Sequence, residues 1–458
     1  MEHRGGRLVS LVSLVSLVWL GGVCAAVLLT SGRVRAQDAG PVVADAGVDA
    51  GVAPATQPED GADAAAGAPA DTSAEEAEIA AEMAAMQEAQ AAEGGGADSP
   101  PPASESSGAT GSSRGLSNLM NPAISAAGTL VGGFSSRADG TVGGAPDDLR
   151  SGIDVQEVEI RASAIVDPFF RADVSITGNT EGIAVEEAFI TTLELPRLTL
   201  RAGQFAANLG RHNILHTHAF PFITAPLPGR ALLGPEGLRS PGVSADLLLP
   251  LPFYAELNAQ VFAGEWSLLE GSIPDDPLTV ANESVPDRRS DRDLAYVGHL
   301  KTLFDLGEPT TLELGVSYLG GRNGFGGFTN VVAGDVTLKW RPLESERYFG
   351  FDWTTEYLWV QRGEAPSDRT TGGAYTAMRL QFGQQWWIQV RGALLGLPAG
   401  DAGRVWRAEA LAAFVPSEFS AIRLQYAIEA DESGAAPPVH EVFAQMVFSV
   451  GPHPAHAY

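Results

Sequence analysis

Three histidines, His212, His216 and His218, share one short stretch with Arg211, and Arg230 and Arg239 follow within thirty residues. Imidazole is a ready ligand for zinc, copper or nickel. The i, i+4, i+6 spacing of the three can bring two or all of them onto one side of a turn. That chemistry is a metal-binding patch, or pH-dependent gating as the rings charge below about pH 6.5. The plain alternative is polar loop histidines bonded to carbonyls or carboxylates. The arginines would set up a transverse field that sorts solutes by charge if they faced an acidic wall such as Glu157 or Asp173. Alternatively, they are salt bridges that pin the stretch in place. Catalysis is not expected. Ser240 and Ser244 lack a Gly-x-Ser-x-Gly elbow, and there is no phosphate-cradling Gly-x-x-x-x-Gly-Lys segment. No cofactor is implied.

What holds these residues is a loop, 208–241, between two strand-like runs, 197–207 and 242–249. Connections this long inside a folded unit are usually functional or disordered. Phe220, Phe222, Ile223, Leu227, Leu232 and Leu233 give this one apolar surface to bury. A Pro-stiffened apolar loop of this kind suits a barrel that narrows its own lumen, so 208–241 is expected to be a constriction loop.

Around it, from about Ile124 to Val450, the pattern has period two. It predicts sixteen strands, at 124–134, 153–165, 168–178, 183–194, 197–207, 242–249, 253–264, 292–304, 310–320, 330–342, 347–362, 372–383, 386–396, 403–415, 419–430 and 440–450. In Ile422-Arg423-Leu424-Gln425-Tyr426 the apolar and polar sets face opposite ways. Alternation in segments of about ten residues is the pattern of a barrel strand with a lipid face and a wet lumen face. Connector length separates this from a soluble sandwich. One set, at Val166-Asp167, Pro196, 250–252, 305–308, 343–345, Gln384-Gln385 and 415–418, is tight. The other set, except for 179–182, is longer. Such parity predicts an all-β transmembrane antiparallel barrel over 116–458. Trp340, Trp353, Trp359, Trp386, Trp387 and Trp406 are expected in its interfacial girdles. The inferred lumen mixes signs: Arg161, Arg171, Lys301, Lys339, Arg379, Arg391, Arg407 and Arg423 against Glu157, Glu159, Asp173, Glu187, Glu313, Asp335, Asp352 and Glu409.

Ahead of the barrel, residues 1–36 have the basic front, apolar centre and small-residue exit of a secretory signal peptide. The single cysteine, Cys24, lies inside that segment, so the mature chain has no thiol chemistry. Residues 37–115 are Ala-, Asp-, Gly-, Pro- and Ser-rich and are expected to be a disordered acidic arm. Within it, 73–90 reads as a short helix opened by the Ser73/Glu76 capping box. A net charge of −27 argues against nucleic acid as a partner. His453 and His456 fall at the opposite mouth from the loop and cannot join its histidines. The terminal Tyr458, or else Phe448, would be the aromatic signal read by the barrel-assembly machinery.

The segment Leu200-Arg201-Ala202-Gly203-Gln204-Phe205, with Gly210-Arg211, resembles a segment of bacterial porins related to the phosphate-selective porins O and P. His212 to His218, Gly234 to Arg239, Pro241-Gly242-Val243, Pro250-Leu251-Pro252 and Val185 to Phe189 resemble a proteobacterial outer-membrane subgroup of that family. The resemblance covers roughly 150–458. It implies a sixteen-stranded barrel in the bacterial outer membrane with its third extracellular loop folded inward. The mixed lumen charges differ from the Arg/Lys ladder of phosphate-selective porins, so phosphate selectivity does not carry over. The function expected is passive diffusion of small hydrophilic solutes or ions. The alternatives are a metal- or ligand-binding receptor and an envelope-tethering barrel. Expected partners are outer-membrane lipid, the solutes themselves and the assembly machinery, and a homotrimer is left open.

Overall fold

The computed structural model describes residues 122–137, 151–180, 182–272, 289–290, 292–307, 309–342, 348–364, 368–398, 403–434 and 436–451. These fall within one compact unit, 105–458. Residues 1–36, the arm 37–115 with its helix 73–90, His453, His456 and Tyr458 lie outside the described residues.

Sixteen strands form: β1 (Ala123–Ser135), β2 (Gly152–Asp167), β3 (Phe170–Gly178), β4 (Ile183–Thr192), β5 (Leu198–Ala206), β6 (Arg239–Leu248), β7 (Tyr254–Phe262), β8 (Ala295–Asp305), β9 (Thr310–Arg322), β10 (Phe328–Trp340), β11 (Phe349–Arg362), β12 (Arg369–Phe382), β13 (Trp386–Leu395), β14 (Val405–Ser417), β15 (Ser420–Asp431) and β16 (Val439–Val450). Each pairs antiparallel with its sequence neighbours, and β1 pairs with β16 (Ala126 opposite Val450), which closes the sheet into a barrel. Closure removes the edges that an open sheet would leave unpaired.

The period-two pattern has a direct structural consequence. On β15, Ile422 and Leu424 are 55% and 58% exposed, while Gln425 between Leu424 and Tyr426 is fully buried. On β16, Val442 and Met446 face out while Glu441 and Gln445 are buried. A water-soluble sandwich has the reverse arrangement. A closed barrel with a large-apolar outer face and polar inner face satisfies every backbone group internally and suits acyl chains. No helix among the described residues is long and apolar enough to cross a membrane. Tight connectors lie at one end, for instance between Asp167 and Phe170, and longer ones at the other, as between Ala206 and Arg239. Near the tight end, aromatic rings meet tilted at Phe253/Phe304 (4.9 Å) and Trp386/Phe414 (4.9 Å), and edge to face at Trp340/Phe349 (5.7 Å).

Three sequence expectations are corrected here. Trp387 is not a girdle residue: it alternates with Trp386, and the Arg379 guanidinium sits 4.2 Å from its ring centre on the inner side. Arg239 is not in the loop, because β6 begins there and pairs with Ala206, with Ser240 and Pro241 opposite Phe205 and Gln204. Pro241-Gly242 argues against a strand by propensity, and pairing to β5 overrides it. Finally, the interior is not wet throughout. Leu227, Leu232 and Leu233 of the loop pack with Phe205, Phe262, Trp266, Leu319 and Leu358. Phe222 and Ile223 pack with Val131, Leu411 and Phe443.

Candidate functional site

The segment 207–238 is built from two small helical pieces. A 3₁₀ turn, Thr217–Ala219, is closed by Ala219 N donating to His216 O at 2.9 Å. Helix α1 (Leu227–Leu233) carries Pro228 in its first turn, where backbone N–H groups have no intrahelical partner to lose, and ends at Gly234 with φ 97°. The loop is then fastened to the inner faces of strands in three places.

Against β2 and β4 stands the acidic group. The 3₁₀ turn puts the His216 and His218 rings 5.9 Å apart. His216 Nδ1 is 3.0 Å from both Glu159 Oε2 and Glu186 Oε2, and its Nε2 is 3.3 Å from Glu187 Oε2. His218 Nδ1 is 3.1 Å from Glu159 Oε2 and 3.7 Å from Glu157 Oε1. Glu157 and Glu159 share a face of β2 because they are two residues apart. Glu186 and Glu187 are adjacent and would ordinarily point apart. A register shift on β4, where Ser175 pairs with Glu187 but Ile176 with Val185, leaves Glu186 unpaired as a bulge, so both carboxylates reach the histidines. Burial works against charge on His216, but bonds to Glu159, Glu186 and Glu187 outweigh it and push its pKa up to about 12. His218 is also raised, since Glu157 and Glu159 overcome its burial.

His212 is elsewhere. Its ring packs on Phe220 at 4.5 Å and its backbone N–H donates to Glu356 Oε2 at 3.2 Å. Burial, then Arg391 and Arg239, push its pKa down to about 3. Of the three histidines, His216 and His218 thus share one group of carboxylates and His212 stands apart. In the same region Arg211 pairs with Glu313 of β9, Gly210 N donates to Ser317 Oγ at 2.9 Å, and Tyr375 donates to Glu356 Oε2 at 2.9 Å.

The third fastening is to β13, β14 and β15. Arg391 pairs with Glu409 and donates from Nη2 to Thr224 O at 2.8 Å. Thr224 Oγ1 donates to Glu409 Oε1 at 2.8 Å, and Ile223 N to Gln425 Oε1 at 2.8 Å. Arg423 Nη1 donates to Phe220 O at 2.8 Å, and Arg230 pairs with Glu429 at 2.8 Å.

The loop-associated arginines therefore meet acids other than those expected. Arg211 takes Glu313, Arg230 takes Glu429, and Arg239 takes Glu186 at 3.0 Å. Glu157 lies against His218, and Asp173 is held by Arg171 at 2.9 Å and Arg161 at 3.4 Å. Of the other expected lining residues, Lys301 is 3.4 Å from Glu313, Arg379 is 3.5 Å from Asp352, and Lys339 lies opposite Asp352 in register. The sequence reading places Glu356 and Glu429 on the polar faces of their strands but gives no role to them or to Glu441, Thr224 or Tyr375. Glu186 was visible only as part of the Val185–Phe189 run.

No family model matches the chain. It is 30% identical over 347 residues to an uncharacterized protein of Aquifex aeolicus strain VF5, across 68% of this chain and 71% of that one. In fold it is similar to Pseudomonas putida OprB in its high-pH structure, with TM-score 0.50, 8% identity, and 74% and 96% of the two chains covered. The anion-selective porin of Comamonas acidovorans gives TM-score 0.48 at 10% identity, over 72% and 99%, a likeness too loose to argue from. With its apolar outer face, a barrel of this fold belongs in a bacterial outer membrane.

Proposed function

We propose, for a chain that belongs to the same family as the uncharacterized Aquifex aeolicus protein and has the fold of outer-membrane porins, that it gives small hydrophilic solutes or ions passive passage, with 207–238 narrowing the aperture. One observation carries the reading. His216 of this segment is bonded to Glu186 on β4, and the backbone N–H of His212 is bonded to Glu356 on β11, seven strands away in a barrel of sixteen. A segment held at both places crosses near the diameter. The fastenings pair nearly every loop cation with a carboxylate, so the narrowing is assigned no anion preference. Kinship with the phosphate-selective porins O and P extends the reading, without phosphate selectivity itself. So do a signal peptide at 1–36, the arm 37–115, insertion by the barrel-assembly machinery, lipid around the apolar face, and a homotrimer that cross-linking in membranes would detect.

The test is single-channel recording in planar bilayers, with reversal potentials measured in a salt gradient. Discrete conductance steps are expected, larger once 212–235 is replaced by a short Gly/Ser link. Absence of any step from folded protein would end the channel reading. An unchanged step size after the replacement would end the role given to the loop.

A further inference from the structure

The histidine–carboxylate group against β2 and β4 contains more acceptors than its donors can serve. Each imidazole nitrogen carries at most one hydrogen, yet His216 Nδ1 lies 3.0 Å from two different carboxylate oxygens. Its aligned bond goes to Glu186 Oε2. Glu159 Oε2 is left without an aligned donor although Glu159 is only 3% exposed.

The outer oxygens of the same carboxylates are held from behind. Ser175 Oγ donates to Glu159 Oε1 at 2.5 Å, Arg239 Nη2 lies 3.0 Å from Glu186 Oε1, and Ala206 N donates to Glu187 Oε1 at 3.1 Å. Each carboxylate therefore turns its second oxygen toward His216. Glu187 meets the ring at Nε2, the nitrogen opposite the one facing Glu159 and Glu186. A carboxylate on the far nitrogen is how metal-bound imidazoles are oriented.

We propose that His216, Glu159 and Glu186 bind one divalent transition-metal ion of the zinc class, with Glu187 orienting His216. The ligand atoms lie within 4.8 Å of one another. Bonds of about 2.0–2.2 Å put tetrahedral ligand atoms roughly 3.4 Å apart, close to the 3.0 Å separations here. One nitrogen with two carboxylates favours zinc or manganese over calcium or magnesium, which prefer oxygen alone. Glu157, 3.7 Å from His218 Nδ1, adds negative charge beside the ion. The ion ties the loop, through His216, to β2 and β4 at once.

Full-length protein in detergent is stripped with EDTA, dialysed and titrated with zinc by calorimetry. One saturable zinc per chain is expected, not displaced by excess magnesium. His216→Ala and Glu159→Gln should each weaken binding at least about a hundredfold. Glu187→Gln should weaken it about 10–100-fold, as expected for a residue that orients a ligand. His299→Gln should leave it unchanged. Folding of each variant is checked by the gel shift between unheated and boiled barrels. If Glu159→Gln does not fold, the folded Glu187→Gln variant decides. Absence of saturable binding, or binding unchanged in folded His216→Ala or Glu187→Gln, overturns the proposal. Calorimetry reads no current, so this outcome stands apart from whether the barrel conducts.

Discussion

Arg391→Ala tests how firmly the loop is held across the lumen. The side chain is buried and does three things. It pairs with Glu409, it donates to Thr224 O at 2.8 Å and Ala225 O at 3.3 Å, and it stacks over Phe222 at 4.4 Å. Its loss leaves two loop carbonyls without their donor. Glu409 keeps Arg407 Nε at 3.0 Å and Thr224 Oγ1 at 2.8 Å, so the carboxylate is not stranded. Removing one member of a buried charged network costs about 3–5 kcal/mol, and the surviving partners place this case near the lower end. About 3 kcal/mol raises the undocked fraction of the loop roughly a hundredfold. Two readouts follow: noisier, on average larger single-channel currents, and trypsin cleavage after Arg211 or Arg230, which the docked loop resists. Arg391→Lys should be intermediate, since it keeps the charge but loses the fork. Wild-type current noise and wild-type trypsin resistance in a folded Arg391→Ala barrel would refute the argument.

Other expectations are shorter. Gly210 has φ 63°, and a Cβ there would run into the Glu356 carboxylate. Gly210→Ala should therefore lose at least the roughly 1–2 kcal/mol of a left-handed backbone, seen as earlier trypsin cutting of the loop; unchanged resistance would count against the docking described. His212 has its pKa pushed down to about 3 by burial and by Arg391 and Arg239. The sign is that of a histidine held neutral: its contribution is present above about pH 6.5 and is lost as pH falls toward 3. Docking should thus weaken in acid more in wild type than in His212→Gln, and parallel pH profiles would dismiss the effect. Leu424 is 58% exposed on the outer face; Leu424→Arg should cost about 2–4 kcal/mol near mid-bilayer, measured as urea unfolding from lipid vesicles. Stability equal to wild type would place that face away from acyl chains.

The sequence foretold the barrel well because strand alternation is local. Ile422, Leu424 and Tyr426 declare their face within five residues, and the tight connectors declare the parity of the strands. Gly203 was visible in its motif, and the reason is steric: with φ 139°, a Cβ there would strike Ala188 O of β4. The loop was legible as an interval but not as a structure. Its partners Glu356, Glu409 and Glu429 lie 144 to 199 residues further on, and no spacing rule reaches so far. The bulge at Glu186 was equally hidden, because a single extra residue changes which side chains share a face without altering composition. For that reason the sequence offers carboxylates as partners for the histidines without naming which ones they meet.

The long reach of those contacts bears on biogenesis. Ile223 is bonded to Gln425 across 202 positions of chain, and Thr224 to Glu409 across 185. During insertion the segment after β5 emerges long before β13 to β15 exist to receive it, and closure entropy must be met first. On the proposed function, the nascent pore would start wide and reach its final bore only when the last hairpins zip onto β1. An arrested assembly intermediate should leak more than the finished protein.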